Sequence, residues 1–286
     1  MDTNAAGPAS LPSLESLADA PLHRSYLGLA GRALLNLTRT IYRLGAFGLI
    51  TLSVTVTKFN TAPNVIRPLL RQQIHRTGVR LLPMVGFLAL ALGLVIIGQT
   101  VALLTRVGAQ DLIGTVMVAV VVRELGPLIA ALIVLARVGT ATVIELGTAR
   151  ALGEVEALEA LGIDPIHYLV MPRVLALGIS IVALTVYFIL GAVSSGYLFA
   201  FLQDVPLPPA EYFQQLARAL LWQDFVLLAL KGVVFGSVIA TVTCYEGLAQ
   251  PLQLQEVAAA TTRAVVYSVV VCVLIDAAFI VVYLLL

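Results

Sequence analysis

Five long apolar stretches fill the last two-thirds of the chain and predict its architecture. They cover about residues 81–104, 112–135, 174–202, 225–245 and 265–286. Each reaches the ~20 residues that a helix needs to cross the hydrocarbon core of a bilayer. Glycine is frequent in them, as expected where membrane helices pack closely. We therefore predict an all-α polytopic membrane protein with five transmembrane helices.

The chain before the first stretch has a different pattern. Residues 1–25 are rich in Ala, Pro, Ser and Asp without a helical period, which predicts a disordered cytoplasmic tail. Residues 26–80 are expected to form an interfacial amphipathic helix and a basic connector. Arg32, Arg39 and Arg43 recur on one face of this helix, and such a basic face suits the membrane interface. An ordinary amphipathic helix packed on the protein's own core is the alternative.

A shorter apolar stretch at 44–57 follows the amphipathic pattern. It is too short for a span and predicts a re-entrant or tilted interfacial segment. Pro63 and Pro68 are expected to break the connector behind it. That connector is basic and carries Arg67, Arg71, Arg76 and Arg80.

Composition agrees with a membrane protein. Of the 286 residues, 60% are hydrophobic and 12% are charged, whereas a soluble domain has about 25% charged residues. The net charge of +1 gives no field that would attract nucleic acid. Cys244 and Cys272 lie inside apolar runs and are expected to be small packing residues. The three histidines are scattered, so the sequence contains no Cys/His cluster with metal-ligand spacing.

The distribution of basic residues predicts the orientation in the membrane. Nine Lys/Arg precede the first stretch, whereas the opposite side carries only Arg106 and Arg218. That side includes a predicted loop at 203–223, which contains Pro206, Pro208 and Pro209. Basic loops stay in the cytoplasm. We therefore expect a cytoplasmic N-terminus, a cytoplasmic segment between stretches two and three, and a periplasmic C-terminus.

Two charges lie near the middle of the second stretch. Arg123 and Glu124 would each cost about 2.5–3.5 kcal/mol if they faced lipid, so they must face protein, water or a ligand. Adjacent helical residues do not face each other, which excludes a simple ion pair between them. Pro127 crowds the carbonyl of Arg123 and predicts a kink or a loosened turn. The pattern favours a functional polar lining; a packing network with Lys231 and Asp276, which also lie inside apolar stretches, is the alternative.

The polar segment 150–165 predicts a short cytoplasmic helix. Val155, Leu158 and Leu161 recur at three-residue spacing among glutamates, and Gly162 ends the pattern. Such a helix more often packs across its own loop or lies solvated. Insertion into a groove on a partner protein is the alternative.

Several motifs of the last two-thirds of the chain occur in a specific combination. They are Arg-Glu-Leu-Gly-Pro at 123–127, Ala-Arg-Val-Gly through Glu-Leu-Gly to Arg150, a Glu-rich segment ending in Asp164-Pro165, and Ala-Thr-Thr-Arg-Ala-Val-Val at 260–266 with Asp276 downstream. Together they resemble the MlaE-type (YrbE-like) permeases, the membrane subunits of ABC transporters that move lipids between bacterial membranes and into chloroplasts. The resemblance covers roughly residues 70–286.

The resemblance implies a permease of the Mla/MCE lipid transport system in the bacterial inner membrane. It implies a homodimer around a lipid cavity, a cytoplasmic ABC ATPase, a periplasmic MCE-domain protein and, as an optional component, a STAS-domain subunit. It assigns lipid-cavity positions to Gln99, Arg123, Glu124 and Pro127. It assigns ATPase coupling to Glu154, Val155, Glu156, Leu158, Glu159, Leu161 and Asp164.

The same resemblance implies a transport subunit without catalytic residues or a cofactor of its own. The sequence contains no Gly-x-x-x-x-Gly-Lys-Ser/Thr loop, so ATP and Mg²⁺ are expected on the partner ATPase. One segment departs from the family: many members have a glycine-rich linker where this chain has residues 249–257. This departure leaves open whether the linker contacts the ATPase.

Two other classes of function remain at this point. The first is a secondary transporter with Arg123, Glu124, Lys231 and Asp276 as an ion or proton relay; inverted repeats would favour it, and we find none. The second is a non-transporting scaffold that recruits partners through 154–165, which does not explain the costly charges in the second stretch. Phospholipid is the substrate that the family implies, with sterols and other hydrophobic molecules as alternatives.

Overall fold

The computed structural model describes residues 42–55, 57, 63–202, 208–248 and 253–285, which belong to two compact units. The first unit ends at Gly45, and its described residues, 42–45, are helical. The second unit, Ala46–Leu286, is helical without a strand among its described residues. The predicted tail and the predicted interfacial helix up to residue 41 lie outside the described residues.

Five helices of the second unit are long and apolar enough to cross a membrane, so the predicted all-α architecture with five spans is confirmed. We number them in chain order. Span one is Ile66–Val107, span two Gln110–Ala151, span three Ile166–Leu198, span four Trp222–Leu248 and span five Leu254–Tyr283.

The observed spans are longer than the predicted apolar stretches. Spans one and two have 42 residues each, which corresponds to about 63 Å at 1.5 Å per residue. This is roughly twice the thickness of a hydrocarbon core. Both helices therefore continue through polar sequence beyond the membrane.

The bounds of the individual helical segments show where the spans change geometry. Span one begins within the helix Pro63–Thr77 and continues through a 3₁₀ turn at Val79–Leu81, Leu82–Leu92, a π-helix at Gly93–Ile97, and Gly98–Val107. Span two includes a 3₁₀ turn at Gln110–Leu112, Ile113–Met117, a π-helix at Val118–Leu125, Gly126–Val134, a π-helix at Leu135–Gly139, and Thr140–Ala151. The remaining segments are Glu154–Ala160, a π-helix at Ile166–Val170, Met171–Leu202, Pro209–Ala219, Trp222–Leu248, a 3₁₀ turn at Leu254–Glu256, and Val257–Leu285.

The break expected at Pro68 is absent. Pro63 is the first residue of the helix Pro63–Thr77, in which span one begins, and a missing N–H costs nothing at that position. Pro68 lies inside the same helix and removes only the hydrogen bond to the carbonyl of residue 64, within the first turns. The connector is therefore helical from Pro63 to Thr77.

Span three is central in the bundle, because it packs against spans one, two and four. It crosses span four at two glycines, Gly178 and Gly236. A Cβ atom on Gly236 would lie 2.5 Å from the Cα of Gly178. Glycine at this crossing lets the two backbones touch, which is the usual device for tight packing of membrane helices.

A further helix, Pro209–Ala219, lies between spans three and four, where the prolines of the sequence predict only a loop. Pro209 begins the helix, a position at which proline is favourable. Tyr212 and Leu216 are buried in the main core, so one face of this helix is fixed to the bundle. We call this end of the bundle the 208–221 end and the opposite one the 150–165 end.

Candidate functional site: a charged network between spans two, four and five

The network starts from an irregular turn in span two. The π-helix Val118–Leu125 ends just before Pro127. Because proline has no N–H, the carbonyl of Arg123 loses its ordinary partner four residues on. Lys231 Nζ of span four donates a hydrogen bond to this carbonyl at 2.9 Å. The loosened turn expected from the sequence is thus stabilised by a side chain of another helix.

Lys231 also binds two carboxylates from different helices. Its Nζ lies 2.9 Å from Glu124 Oε2 of span two and 2.6 Å from Asp276 Oδ1 of span five. Three oxygens thus surround an ammonium group that has three N–H donors. Only 3% of the Lys231 side chain is exposed, so this charge is buried and fully paired.

Arg123 points to a different partner, Asp224, near the start of span four. Its Nε lies 2.9 Å from Asp224 Oδ1, and its Nη2 donates to Oδ2 at 3.3 Å. The hydroxyl of Tyr283 donates to Oδ1 at 2.6 Å. The ring of Tyr283 lies 4.6 Å from the guanidinium carbon, within the range of a cation–π contact.

Asp224 is held in place by its own helix. It is the third residue of the helix that begins at Trp222, and its Oδ2 accepts the backbone N–H of Leu221 at 2.9 Å. An acidic side chain that reaches back from this position forms half of a capping box. Asp224 therefore caps the N-terminus of this helix and pairs with Arg123 at the same time.

The network residues of spans four and five are mostly buried, whereas those of span two are partly exposed, so the network is open on its span-two side. Asp224 and Lys231 expose 1% and 3% of their side chains, whereas Arg123 and Glu124 expose 27% and 28%. It contains two cations and three carboxylates, namely Arg123, Lys231, Glu124, Asp224 and Asp276. Charges at this depth are costly in hydrocarbon, so the open side must meet something polar.

Gln99, the remaining predicted cavity residue, is not part of this network. It lies on span one with an exposed side chain, and within the described part of the chain it forms no hydrogen bond to a network residue. Pro127 is buried and acts through the carbonyl that it leaves free.

Sequence reasoning missed Asp224 and Tyr283. Asp224 lies one residue before the predicted start of the fourth stretch, and Tyr283 looks like an ordinary interfacial aromatic. The available signal was an acidic residue in the first turn of a helix that begins at Trp222, where carboxylates are favoured.

The predicted coupling segment forms a helix, Glu154–Ala160, at the 150–165 end. Gly153 and Gly162 flank it with φ of 77° and 75°, a conformation that favours glycine. Val155 is buried in a small cluster with residues of spans two, three and four. Leu161 is 75% exposed, so the apolar residues at three-residue spacing do not all share one buried face.

The other predicted coupling residues are mostly exposed. Glu154, Glu156 and Glu159 lie on the surface, Leu158 is half-buried, and Glu156 pairs with Arg150 at 3.0 Å. Asp164 Oδ1 accepts the N–H of Ile166 at 3.0 Å and so begins span three. The segment therefore combines a buried anchor with an acidic, partly apolar outer surface.

A second group of ion pairs lies toward the 150–165 end. Glu145 of span two pairs with Arg76 and with Arg173, the latter at 3.5 Å. Arg263 of span five lies 3.1 Å from Glu246 of span four. These pairs join neighbouring helices near their ends.

Comparison with known proteins gives consistent results. Residues 70–282 match the family described as Permease MlaE. A probable ABC transporter permease protein of Rickettsia prowazekii is 31% identical over 240 residues, which cover 84% of this chain and 90% of the relative. The intermembrane phospholipid transport system permease protein MlaE of Haemophilus influenzae is 27% identical over 210 residues, with coverages of 73% and 80%.

A plant relative extends the comparison. The chloroplastic protein trigalactosyldiacylglycerol 1 of Arabidopsis thaliana is 34% identical over 200 residues, which cover 70% of this chain and 57% of the relative. The family match and the Rickettsia relative favour an ABC permease over a secondary transporter or a scaffold. The chain belongs to the MlaE permease family and is a multi-pass ABC transporter permease.

Proposed function

We propose that the chain is the permease subunit of a lipid ABC transporter and that it moves phospholipid between the inner membrane and a periplasmic MCE-domain carrier. One observation carries the proposal: a charged network lies between apolar spans and is open on its span-two side. A phospholipid has acyl chains that suit the apolar walls and a headgroup that suits the charges. The Haemophilus relative, whose name specifies phospholipid transport, supports this substrate class.

The open side of the network supports a homodimer. In a single copy, about a quarter of Arg123 and of Glu124 would face hydrocarbon, which is costly for charged groups. A second copy would cover both side chains and enclose a cavity between the two spans two. The lipid would occupy that cavity.

The pairing of Arg123 suggests how a lipid is held and released. Its guanidinium already binds Asp224 and stacks on Tyr283, so a lipid phosphate would compete with the Asp224 carboxylate. A bidentate guanidinium can exchange one carboxylate for one phosphate with similar geometry. Movement of span four against span two would shift this exchange in either direction.

The 150–165 end supplies a surface for the partner ATPase. Leu152 and Leu161 are 62% and 75% exposed beside the acidic side chains of the Glu154–Ala160 helix. Val155 fixes this helix to the bundle, so force on the outer surface would reach spans two, three and four. ATP and Mg²⁺ would bind to the ATPase and not to this chain.

The basic residues support one orientation in a bacterial inner membrane. The 150–165 end, with the arginines before span one, would lie in the cytoplasm. The 208–221 end and the C-terminus would lie in the periplasm, where the MCE-domain partner binds. A STAS-domain subunit would bind on the ATPase side.

Lipid co-purification tests the proposed substrate. Wild type and Arg123→Ala/Glu124→Ala would be extracted in mild detergent with the partner subunits, and bound lipid would be identified by mass spectrometry. We expect phospholipid in the wild type and its loss from an assembled variant complex. Arg263→Ala/Glu246→Ala removes an ion pair elsewhere and is the matched control. Equal lipid in all three proteins would contradict the proposed cavity.

ATPase stimulation tests the coupling surface. Leu161→Ser should abolish the stimulation of the ATPase by the permease without unfolding the chain, because the side chain is exposed. Leu221→Ser changes a residue that is 53% exposed at the opposite end and should leave stimulation intact. Normal stimulation by Leu161→Ser would exclude a role for this surface.

A further inference from the structure

A second polar region lies at the 208–221 end, where the Pro209–Ala219 helix faces the start of span two. It is a cavity of about 640 Å³ between the start of span two and the Pro209–Ala219 helix. Twelve residues separate Asp111 at this cavity from Arg123, which corresponds to about 18 Å along a helix. None of the residues that line this cavity belongs to the charged network, although Ala219 lies only five residues before Asp224. The cavity is large enough for a small ligand.

One face of the Pro209–Ala219 helix lines this cavity with polar side chains. Glu211, Gln214, Gln215 and Arg218 follow the i, i+3, i+4, i+7 spacing of a single helical face. The opposite face carries Tyr212, which is buried in the core. Burial raises the pKa of Tyr212 to about 12, so this phenol stays neutral and adds no charge near the cavity.

The facing wall comes from span two. Asp111 and Thr115, four residues apart, point into the same cavity. Gly114, which lies between them in the sequence, packs directly on the Pro209–Ala219 helix. A Cβ atom on Gly114 would lie 2.6 Å from the carbonyl oxygen of Gln215. This close crossing fixes the two walls relative to each other, so the cavity is a built feature of the fold.

The charges around the cavity do not neutralise one another. Among the described residues, Arg218 forms no ion pair with Asp111, with Glu211 or with any other carboxylate. The Oε1 atom of Gln215 is buried and has no hydrogen-bond partner. A guanidinium and two carboxylates that do not pair with one another therefore line one exposed cavity, and the Gln215 Oε1 atom lies buried in its wall.

The position of the cavity indicates what kind of molecule reaches it. Trp222, three residues beyond the helix, is 76% exposed, and Leu221 beside it is 53% exposed. Tryptophan is enriched where a membrane span meets the headgroup layer. The cavity therefore lies at the level of lipid headgroups.

We propose that this cavity binds the zwitterionic headgroup of an aminophospholipid such as phosphatidylethanolamine. Arg218 binds the phosphate, and Asp111 with Glu211 binds the ammonium group. The inference extends the proposed function, because it names the headgroup that is recognised where lipid enters or leaves the protein.

Native mass spectrometry of the full chain in detergent tests the site. Equal amounts of phosphatidylethanolamine and phosphatidylglycerol with the same acyl chains would be added. Phosphatidylglycerol has the phosphate but lacks the ammonium group. We expect the wild type to prefer phosphatidylethanolamine by about tenfold, the effect of one good charged contact.

The variants separate the two halves of the headgroup. Asp111→Asn/Glu211→Gln should abolish the preference and retain phosphatidylglycerol, whereas Arg218→Gln should weaken both lipids about tenfold. Arg106→Gln changes another exposed arginine near this end and is the matched control. All these side chains are exposed, and gel filtration checks that each variant remains folded.

Three outcomes would overturn the inference. The first is an unchanged preference in Asp111→Asn/Glu211→Gln together with unchanged binding of both lipids by Arg218→Gln. The second is binding of soluble glycerophosphoethanolamine without binding of the diacyl lipid, which indicates a soluble ligand. The third is loss of a partner protein from the variant complex with lipid binding unaltered. If lipid is lost only from Arg123→Ala/Glu124→Ala, the cavity inference fails while the proposed function stands; if the wild type holds no lipid, the proposed function fails as well.

Discussion

The two groups of ion pairs in the bundle use the same residue types in different surroundings. Lys231 and Asp224 in the network are almost completely buried, and each contacts groups from two other helices. Arg76 and Glu145, near the 150–165 end, are 40% and 38% exposed. Exposed pairs contribute about 0–1 kcal/mol, whereas removal of one member of a buried pair costs about 3–5 kcal/mol. Burial therefore makes the network pairs the costlier ones to break.

The largest effect is expected from Lys231→Met. This change keeps the volume and leaves Glu124 and Asp276 without their shared cation, so the free energy of unfolding should fall by about 3–5 kcal/mol. Unfolding by SDS in mixed micelles measures it. The triple variant Lys231→Met/Glu124→Gln/Asp276→Asn removes all three charges and should recover most of the loss. A single variant as stable as the wild type would show that the network is not energetically coupled.

Asp224→Asn should have the next largest effect. Asparagine keeps an acceptor for Leu221 or Tyr283 but loses the charge that pairs with Arg123, which should cost about 2–3 kcal/mol. The same unfolding assay applies. Asp111→Asn changes an exposed aspartate and should alter stability very little. A similar loss of stability in both variants would contradict the difference expected between buried and exposed charges.

A smaller effect is expected from Tyr283→Phe. The ring stays over the Arg123 guanidinium, and only the hydrogen bond to Asp224 Oδ1 is lost, at about 1–2 kcal/mol. Phe substitution at Tyr187, a 41% exposed residue of span three, provides the control. If both substitutions are neutral, the hydroxyl of Tyr283 contributes nothing to the position of Asp224.

The smallest effect is expected at the 150–165 end. Glu145→Gln breaks pairs with Arg76 and Arg173 and should cost about 0.5–1 kcal/mol. The wild-type contribution of these pairs should decrease at 1 M salt, where the Debye length is about 3 Å, so the difference from the variant should shrink. Lys231→Met should keep its full effect at that salt concentration, because its site is buried. A salt-independent effect of Glu145→Gln would place these pairs in the same class as the network.

The sequence predicted the parts of this site that depend on composition. Apolar length located the five spans, and the cost of charge in hydrocarbon singled out Arg123 and Glu124. Pro127 correctly indicated a carbonyl without its helical partner. These inferences need only local sequence, because hydropathy and backbone chemistry do not depend on the fold.

The sequence analysis named Lys231 and Asp276 as packing partners for the charges of span two, and Lys231 does bind Glu124 and Asp276. It did not predict the partner of Arg123. Arg123 pairs with Asp224, a residue 101 positions away, and that choice depends on how the helices cross. Asp224 fell outside the predicted stretch because a carboxylate lowers the local hydropathy. The Pro209–Ala219 helix was missed since its prolines are typical of loops, although proline at the first position favours a helix. The geometry of helix crossing depends on contacts between distant segments, such as Gly178 against Gly236, and cannot be inferred from one segment alone.

The pairing of Glu124 with Lys231 has a consequence for biosynthesis. The two residues are 107 positions apart, and synthesis at 5–20 residues per second separates them by roughly 5–20 s. During that time span two carries two charges whose partners do not yet exist. We therefore expect span two to stay beside the translocation machinery, or in contact with water, until span four emerges. The last helix of the bundle, which supplies Asp276 and Tyr283, then completes the network, so assembly of this protein is ordered by its charges as well as by its hydrophobicity.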